Sequence, residues 1–532
     1  MPRKADLTEV GVKSFMATGL QAGGYSCRLD VTIGANPGFM IMSTDEGGVA
    51  CYRNPGQTEW KQLFRYGDNL PAAEAVYRGE AQHAYLVARS SSNPQVMVAS
   101  MYGKIYRTTA GAEGTNAWTK LTAYKSGAPD LTLHHNPDFN ARLRGPTCQI
   151  DPVNADIFMF GNHTDGAYLS INGGTAIALV ASIPVPVNVG NIRWGVNFAF
   201  DLSTASAGKT QTVYCSSSGN PVRRSTTGAD GTFTSIGGPT KTRDMFSASG
   251  LLWVCDDAQS VWKWNGTAWT QMMIGAVAVQ GSTVAVRPSN PLHVAVVREG
   301  GDIFHTTDGG TNWTFYADPF AIGSGAPAWF TKANVGYLSP GTMRWDETGA
   351  TNRWCMSMGL GYVEFDNPPR ANPANKWRGD SLGVLELIPT LMHFTSKGNL
   401  LIACHDRALW GYANDKLLDV STGHGPDYLD AITHGTDVDS IIGDPDFVIA
   451  ARYKESANTN YWKHLGGGVN PEGWVQINAP ASDSAGGNII ALSRTNYILQ
   501  SSGSKSPKYT TDGGATWLDP VSARRLAAQS SA

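Results

Sequence analysis

The feature that most constrains the fold is a short motif that occurs twice within a longer repeat. Residues 306–313 read TTDGGTNW and residues 510–517 read TTDGGATW, so Asp308 and Asp512 lie 204 residues apart. Weaker copies of the motif and its flanking apolar runs recur roughly every 51 residues, and such self-similarity indicates a repeat architecture. No stretch sustains the hydrophobic period of a helix. The chain is therefore predicted to consist of many copies of one small β-unit.

Each clear copy of the motif resembles the Asp-box, a turn between the outer two strands of a propeller blade. Its aspartate, Asp308 or Asp512, is expected to accept hydrogen bonds from N–H groups of the turn, and its glycines to adopt positive φ. The tryptophans Trp313 and Trp517 are expected to pack beneath the turn. We therefore predict that these four residues are structural.

The repeats predict an all-β fold made of β-propeller blades. About ten blades can be counted, and a single propeller usually has 4–8, so ten blades require two rings. We predict an N-terminal extension at residues 1–22 and a first propeller of about seven blades at 23–378. Residues 379–532 are predicted to hold about three blades of a second, incomplete propeller.

Composition narrows the chemistry. The chain has 41 basic and 44 acidic residues, so a nucleic-acid or anionic-membrane partner is not expected. Seven widely spaced cysteines, with no CxxC pair, argue against a disulfide framework or a zinc site. No P-loop or HExxH motif is present, and we expect neither a metal nor a cofactor. The N-terminus lacks the apolar segment of a signal peptide, so an extracellular or virion-associated protein would reach its location by another route.

Two further aspartates differ from the box aspartates by their place in the repeat. Asp45 follows the apolar run 39–42, Asp406 follows the apolar run 400–404, and each precedes another strand. They lie 361 residues apart, close to seven repeats, and so occupy equivalent places. In the repeat that contains Asp308, this place is one strand before the box. Loops there are expected to lie on one face of the ring, and two carboxylates brought together are what a glycoside hydrolase needs.

At these residues the chain resembles the xyloglucanase-type glycoside hydrolases, which are endo-β-glucanases built from two tandem seven-bladed propellers. The matching segments are Gly23-Gly24-Tyr25, Pro37, Met40 to Asp45 with Gly47, Gly48 and Tyr52, and Ala403 to Trp410. The resemblance implies an inverting hydrolase of β-1,4-glucan or xyloglucan in which Asp45 is the general base and Asp406 the general acid. Glu46, next to the first aspartate, is an alternative for either role.

Other residues are candidates for binding a glycan. The segment 141–152 is similar to a segment of the same family and keeps Arg142, which we expect to contact substrate. Asp165 shares the place of Asp45 in the third repeat and is either a subsite residue or a solvated carboxylate. Sugar rings stack on aromatic side chains, and several tryptophans near loops or strand starts are either stacking surfaces or core. These are Trp194, Trp329, Trp345, Trp354 and Trp410.

Two other functions compete with this hypothesis. A sialidase would need three convergent arginines and a tyrosine nucleophile, and no arginine motif of that type is visible. A non-catalytic propeller that binds polysaccharide, or has a structural role, on a phage virion as a tail or receptor-binding protein, or on a cell surface, fits the low charge and the incomplete second ring. The expected partner in either case is a polysaccharide, β-glucan-like or from a bacterial surface. A homo-oligomer or a particle-bound assembly stays open.

Overall fold

The structure is a computed structural model of the chain. The described residues are 26–44, 50–57, 60–64, 86–101, 104–113, 117–121, 145–162, 165–187, 195–299, 301–316, 340–348, 352–358, 361–366, 377–379, 388–405, 409–413, 416–419, 433–454, 457–470, 473–478, 480, 487–501 and 506–519. The described strands divide into two compact units, one within residues 26–379 and one within residues 388–519.

Among its described residues the first unit has seven four-stranded antiparallel sheets, and within each sheet the strands lie in chain order. The first sheet contains β1 Ser26–Val31, β2 Met40–Thr44, β3 Cys51–Arg53 and β4 Lys61–Gln62, and the second contains β5 Val87–Arg89, β6 Met97–Met101, β7 Lys104–Thr108 and β8 Trp118–Lys120. The third sheet contains β9 Cys148–Ile150, β10 Phe158–Asn162, β11 Gly166–Ser170 and β12 Ala178–Leu179. The fourth contains β13 Val196–Phe200, β16 Val213–Ser217, β17 Val222–Ser225 and β18 Thr234–Gly237, and a 3-10 turn Leu202–Thr204 and a hairpin of β14 Ala205–Ser206 and β15 Lys209–Thr210 are inserted between β13 and β16.

Sheets five to seven follow the same plan, with one more hairpin between the fifth and sixth sheets. They contain β19 Thr242–Ala248, β20 Leu251–Asp256, β21 Val261–Trp264 and β22 Trp269–Gln271; the hairpin β23 Met273–Ile274 and β24 Val277–Ala278; β25 Thr283–Arg287, β26 Asn290–Val297, β27 Ile303–Thr306 and β28 Thr314–Tyr316; and β29 Pro340–Asp346, β30 Arg353–Met358, β31 Gly361–Asp366 and β32 Arg378–Gly379.

Contacts between the first strands join the seven sheets into a ring. β1 contacts β5, β5 contacts β9, and the series continues through β13, β19, β25 and β29. β29 then contacts β1, so the last sheet returns to the first. The first strands therefore surround a common axis, and the other strands of each sheet lie progressively farther from it. All four strands of sheets one and seven come from consecutive chain segments, so no strand is exchanged to close the ring.

Side chains from neighbouring sheets form the cores between them. Because successive residues of a strand point to opposite faces, one strand supplies two cores. In β2, Ile41 packs against the second sheet, whereas Met40 and Met42 belong to the core shared with the seventh sheet. A sheet buried on both faces needs apolar residues on both, which explains why the strands read as continuous apolar runs without alternation.

A buried ion network also joins the seventh sheet to the first. Glu364 on β31 accepts hydrogen bonds from Arg53 on β3, from the hydroxyl of Tyr362 at 2.7 Å and from Nη1 of Arg353 at 2.9 Å. The Nε of Arg353 donates to Asp346 at 2.8 Å. The side chain of Glu364 is fully buried and that of Arg53 is 2% exposed. The interface at which the ring closes therefore contains buried charges as well as an apolar core.

The second unit has two four-stranded sheets and one three-stranded sheet among its described residues. Sheets eight to ten contain β33 Ile388–Phe394, β34 Leu400–His405, β35 Leu409–Ala413 and β36 Lys416–Asp419; β37 Thr433–Ser440, β38 Phe447–Lys454, β39 Ala457–Leu465 and β40 Trp474–Ile477; and β41 Gly487–Ala491, β42 Tyr497–Ser501 and β43 Lys508–Thr510. Apolar cores join sheet eight to sheet nine and sheet nine to sheet ten. The predicted boundaries at 22/23 and 378/379 stay predictions.

Candidate functional site

The predicted catalytic aspartates fall in equivalent connections of two sheets. In chain order, Asp45 lies between β2 and β3, and Asp406 lies between β34 and β35. Each is therefore in the connection from the second to the third strand of its sheet. Both lie outside the described residues, as do the candidate substrate-binding residues Arg142, Trp194 and Trp329.

The strands that lead into both connections are deeply buried. In β2, residues 40–42 are at most 1% exposed, and in β34 residues 400–404 are at most 5% exposed. Burial raises the pKa of the Cys404 thiol well above its ordinary value, which shows how strongly this strand disfavours charge.

The third sheet shows the same connection with its carboxylate described. Asp165 lies between β10 and β11, is partly buried, and accepts a hydrogen bond from the hydroxyl of Tyr168 at 3.1 Å. The phenol comes from the strand that follows, so it orients the carboxylate at the end of the sheet. This connection can hold an acidic side chain with a fixed direction.

The described tryptophan candidates are buried. Trp345, Trp354 and Trp410 are 2%, 1% and 3% exposed. Trp345 and Trp354 pack edge to face with ring centroids 5.7 Å apart. None of these three rings offers a face to solvent on which a sugar could stack, and the first two have the surroundings of core residues.

The two clear box motifs form tight turns between the third and fourth strands or their equivalent. Asp308 accepts hydrogen bonds from the hydroxyl of Thr306 at 2.8 Å, from the backbone N–H of Asn312 at 2.9 Å and from its side-chain amide at 2.7 Å. Hydrogen bonds from Asn312 and Thr306 hold the pKa of Asp308 at about 2. In the second copy, Thr510 and Thr516 donate to Asp512 in the same way, with the Thr516 N–H at 2.9 Å. These carboxylates are occupied by their own turns.

The tryptophans of the motifs lie next to these turns. Trp313 packs edge to face against Trp253 at 6.3 Å, and the indole N–H of Trp517 donates to the carbonyl of Asn478 at 2.6 Å. Because strands in each sheet are antiparallel, the connection from the third to the fourth strand lies at the end opposite to the connection from the second to the third. The box turns and the connections that contain Asp45 and Asp406 therefore belong to opposite ends of their sheets.

A charged cluster on sheets five and six was not predicted from the sequence. Nη1 of Arg243 donates to Glu299 at 2.7 Å and to the Ser282 hydroxyl at 3.1 Å, and its Nε lies 3.8 Å from Asp257. Asp257 and Glu299 follow the second strands β20 and β26, so they occupy the place that Asp45 has in the first sheet. The sequence signal was present, because both carboxylates follow an apolar run at that offset.

Within the described ranges, no group of three or more His, Cys, Asp or Glu side chains could hold a metal ion. No helix among the same residues is long and apolar enough to cross a membrane.

Comparison with known proteins identifies the fold. No protein-family model matches the sequence, and none of the curated proteins compared with it matches. A GH74 enzyme from Niastella koreensis has a similar structure, with a TM-score of 0.71 and 19% identity over 94% of this chain and 72% of that chain. The GH74 xyloglucanase from Xanthomonas campestris gives a TM-score of 0.70 and 18% identity over 94% of this chain and 74% of that chain.

The chain has the fold of these GH74 enzymes. The all-β propeller fold predicted from the sequence is therefore confirmed, and so is its structural likeness to xyloglucanase-type proteins. At a sequence identity below 20%, the likeness shows the fold alone. The chemistry has to be argued from the residues of the site, because one fold hosts many functions.

Proposed function

We propose that the protein is an inverting glycoside hydrolase that cleaves a β-glucan of the xyloglucan type within its chain. The observation that carries this proposal is the likeness over 94% of the chain to GH74 enzymes, one of which is a xyloglucanase. The equivalent chain positions of Asp45 and Asp406, each between the second and third strands of a sheet, support it. A neutral polysaccharide also suits a chain with a net charge of only −3.

In the proposed reaction Asp406 is the general acid and Asp45 the general base. Asp406 protonates the glycosidic oxygen as the bond to the anomeric carbon breaks. Asp45 takes a proton from a water molecule that attacks the same carbon from the opposite face, so the anomeric configuration inverts in one step. The two carboxyl groups need a separation of roughly 6.5–9.5 Å to leave room for that water. Arg142, Asp165, Trp194 and Trp329 are proposed to bind the glycan.

The test is hydrolysis of tamarind-type xyloglucan by the full chain, followed by reducing-end release and by proton NMR of the anomeric signal. The wild type is expected to release the α-anomer from a β-linked substrate. Asp45→Asn and Asp406→Asn are each expected to lower kcat by about 10²–10⁴-fold, the usual contribution of a positioned acid or base. Asp308→Asn is the matched control, because this aspartate belongs to a box turn at the other end of its sheet, and it should keep activity.

The outcomes separate the proposal from a binding function. If the wild type binds xyloglucan in affinity electrophoresis but releases no reducing ends, the hydrolase proposal is wrong and a non-catalytic polysaccharide-binding propeller, on a virion or a cell surface, replaces it. If Asp45→Asn and Asp308→Asn lose activity equally, the loss comes from folding and the acid/base assignment fails. Action on such a glycan places the protein outside the cell or on a particle, and this location is part of the proposal.

A further inference from the structure

One tryptophan of the first unit differs from the others in the place at which it is exposed. Most tryptophans that the structure describes are buried, and the partly exposed ones are Trp262, Trp269, Trp313 and Trp517. Trp313 and Trp517 belong to the box turns, and Trp269 begins β22, directly after the equivalent turn of sheet five. Trp262 is the second residue of β21, next to the connection from the second strand. Among the described residues it is therefore the partly exposed tryptophan at the end of the sheets opposite to the box turns.

The indole ring of Trp262 is held in one orientation. Its Nε1–H donates to Oδ2 of Asp256 at 2.8 Å, and the other oxygen of this carboxylate accepts from the backbone N–H of Ser260 at 2.8 Å. Part of the ring packs against the apolar core between sheets four and five. Because the polar edge is bonded and one side is packed, the part that solvent can reach is a fixed aromatic surface. Such a surface suits the apolar C–H face of a sugar ring.

The inserted hairpin β23–β24 belongs to the same end of sheet five. It follows β22, which runs from the box-like turn toward the end that carries Trp262, and Gln271 at the end of β22 pairs with Trp262. Met273 and Val277 on the hairpin are 41% and 69% exposed. The other inserted hairpin of the described residues, β14–β15, connects a first strand to a second strand and so lies at the opposite end. The insertion therefore adds exposed apolar side chains to the end of the sheet at which Trp262 lies.

The charged cluster of sheets five and six continues this surface. Asp257 follows Asp256 directly, and Nε of Arg243 lies 3.8 Å from the Asp257 carboxylate. Nη1 of the same arginine donates to Oε1 of Glu299 at 2.7 Å. The side chain of Glu299 is 41% exposed, and its Oε2 has no hydrogen bond within the described part of the chain. The guanidinium therefore fixes this carboxylate and leaves one oxygen that can accept from a hydroxyl group.

The charges of this cluster favour a neutral sugar over an acidic one. Lys241 lies 3.9 Å from Asp257, and Arg243 and Arg298 each form an ion pair with a neighbouring carboxylate. Each of these three cations thus already has an anionic partner, and an acidic sugar would bring a further negative charge beside Glu299. A neutral sugar donates hydroxyl hydrogens to the carboxylate without that repulsion.

We propose that these residues form a glycan-binding site at the ends of sheets five and six. Trp262 stacks on the apolar face of a neutral pyranose ring, and Glu299, held by Arg243, accepts hydrogen bonds from the hydroxyl groups of the glycan. The site lies at the end of the sheets that has the connections between second and third strands, as the connection with Asp45 does. It rests on the proposed function, because its ligand is the same β-glucan, and it adds contacts that the resemblance to xyloglucanases did not name.

Affinity electrophoresis of the full chain in gels that contain xyloglucan tests the site, with Asp45→Asn as the background of every variant to prevent hydrolysis. Trp262→Leu keeps an apolar side chain and removes the aromatic face, and Glu299→Ala removes the acceptor. Each is expected to weaken binding about tenfold, as losing an aromatic anchor or a hydrogen bond to a charged group usually does. Trp269→Leu is the matched control and should bind as the background does. Trp269 is partly exposed at the other end of the same sheet, and its indole N–H donates to the carbonyl of Ile236 at 2.9 Å.

Unchanged affinity in Trp262→Leu overturns the proposal, and so does an equal loss in Trp262→Leu and Trp269→Leu, because the loss then comes from the folding of sheet five. If Trp262→Leu does not fold, unchanged affinity in Glu299→Ala decides against the site. Tighter binding of polygalacturonate than of xyloglucan would contradict the preference for a neutral sugar. Failure of the hydrolase proposal is seen separately. A wild type that releases no reducing ends, together with weaker binding in Trp262→Leu, removes the hydrolase and keeps the site, whereas hydrolysis with unchanged binding in Trp262→Leu does the reverse.

Discussion

The buried network around Glu364 gives a prediction about what keeps the ring closed. Glu364→Gln keeps the shape of the side chain but removes the charge that Arg53 and Arg353 share. Both guanidinium groups would then be left next to a neutral amide, one of them almost completely buried. Because no strand is exchanged between sheets one and seven, this change acts directly on the interface at which the ring closes.

Two independent estimates of the magnitude agree. Removing one partner of a buried ion pair usually costs about 3–5 kcal/mol. Burial raises the pKa of Glu364, but Arg53 and Arg353 outweigh it and hold the pKa at about 2, against an ordinary value of 4.5. That difference corresponds to about 3 kcal/mol. Because the pKa is lowered in the folded state, this stability is fully present above pH 4.5 and is lost as the pH falls from 4.5 toward 2.

Hydrogen exchange of peptides from sheets one and seven, measured by mass spectrometry in rising urea, reports the stability of this interface in the full chain. Glu364→Gln is expected to lower it by about 3–5 kcal/mol at pH 7, and the difference from wild type should shrink below pH 4. The matched control is Asp230→Asn, which breaks an exposed pair with Lys209 in the same unit and should cost less than about 1 kcal/mol. A loss no greater than that of the control would refute the reasoning.

Two further predictions concern a buried histidine and a glycine. Burial, with a further contribution from His293, lowers the pKa of His305 to about 4 from 6.5, so its stabilising effect is complete above pH 6.5 and declines as the pH falls toward 4. His305→Phe should reduce the change in melting temperature between pH 6.5 and 4, and a pH dependence equal to that of the wild type would contradict this. Gly310 has φ +94° and a Cβ there would lie 2.5 Å from Met272 Sδ; Gly310→Ala should cost about 1–3 kcal/mol in urea unfolding. Gly266 has φ +98° and open space around a Cβ, so Gly266→Ala measures the loss of stability that comes from the backbone conformation alone. An equal loss of stability in the two variants would show that contact with Met272 contributes nothing.

The fold was predictable because the repeat contains a turn motif whose hydrogen bonds are local in the sequence. A threonine, an aspartate and two glycines form the box turn through hydrogen bonds within eight residues, so the motifs that contain Asp308 and Asp512 indicate the strand order without knowledge of the rest of the chain. Continuous apolar runs predicted the buried strands, because a strand of a sheet that packs on both faces has apolar residues at successive positions and does not alternate with polar ones. The two hairpins β14–β15 and β23–β24 were missed, since short insertions between strands do not change the period.

The buried polar contacts at the axis of the ring were less predictable, because they join distant repeats. The ion pair between Asp244 and Arg344 joins residues 100 apart in the chain, and the bond from Arg28 to the Cys148 carbonyl joins residues 120 apart. Nothing local distinguishes these arginines from solvated ones. Their partners are set by which first strands face each other across the axis, and this depends on the number of sheets in the ring.

The aspartates of the box turns and those of the connections between second and third strands lie at opposite ends of their sheets, and the two positions suit different chemistry. A box carboxylate such as Asp308 is saturated by its turn and keeps its charge down to a pH of about 2. A general acid has to hold a proton near neutral pH, so no box aspartate can serve as one. A carboxylate in the connection from the second to the third strand lies at the other end of the sheet, and at Asp165 it accepts a hydrogen bond from the hydroxyl of Tyr168. If this protein performs acid–base chemistry, we therefore expect its acid at that end, as the proposal for Asp406 has it.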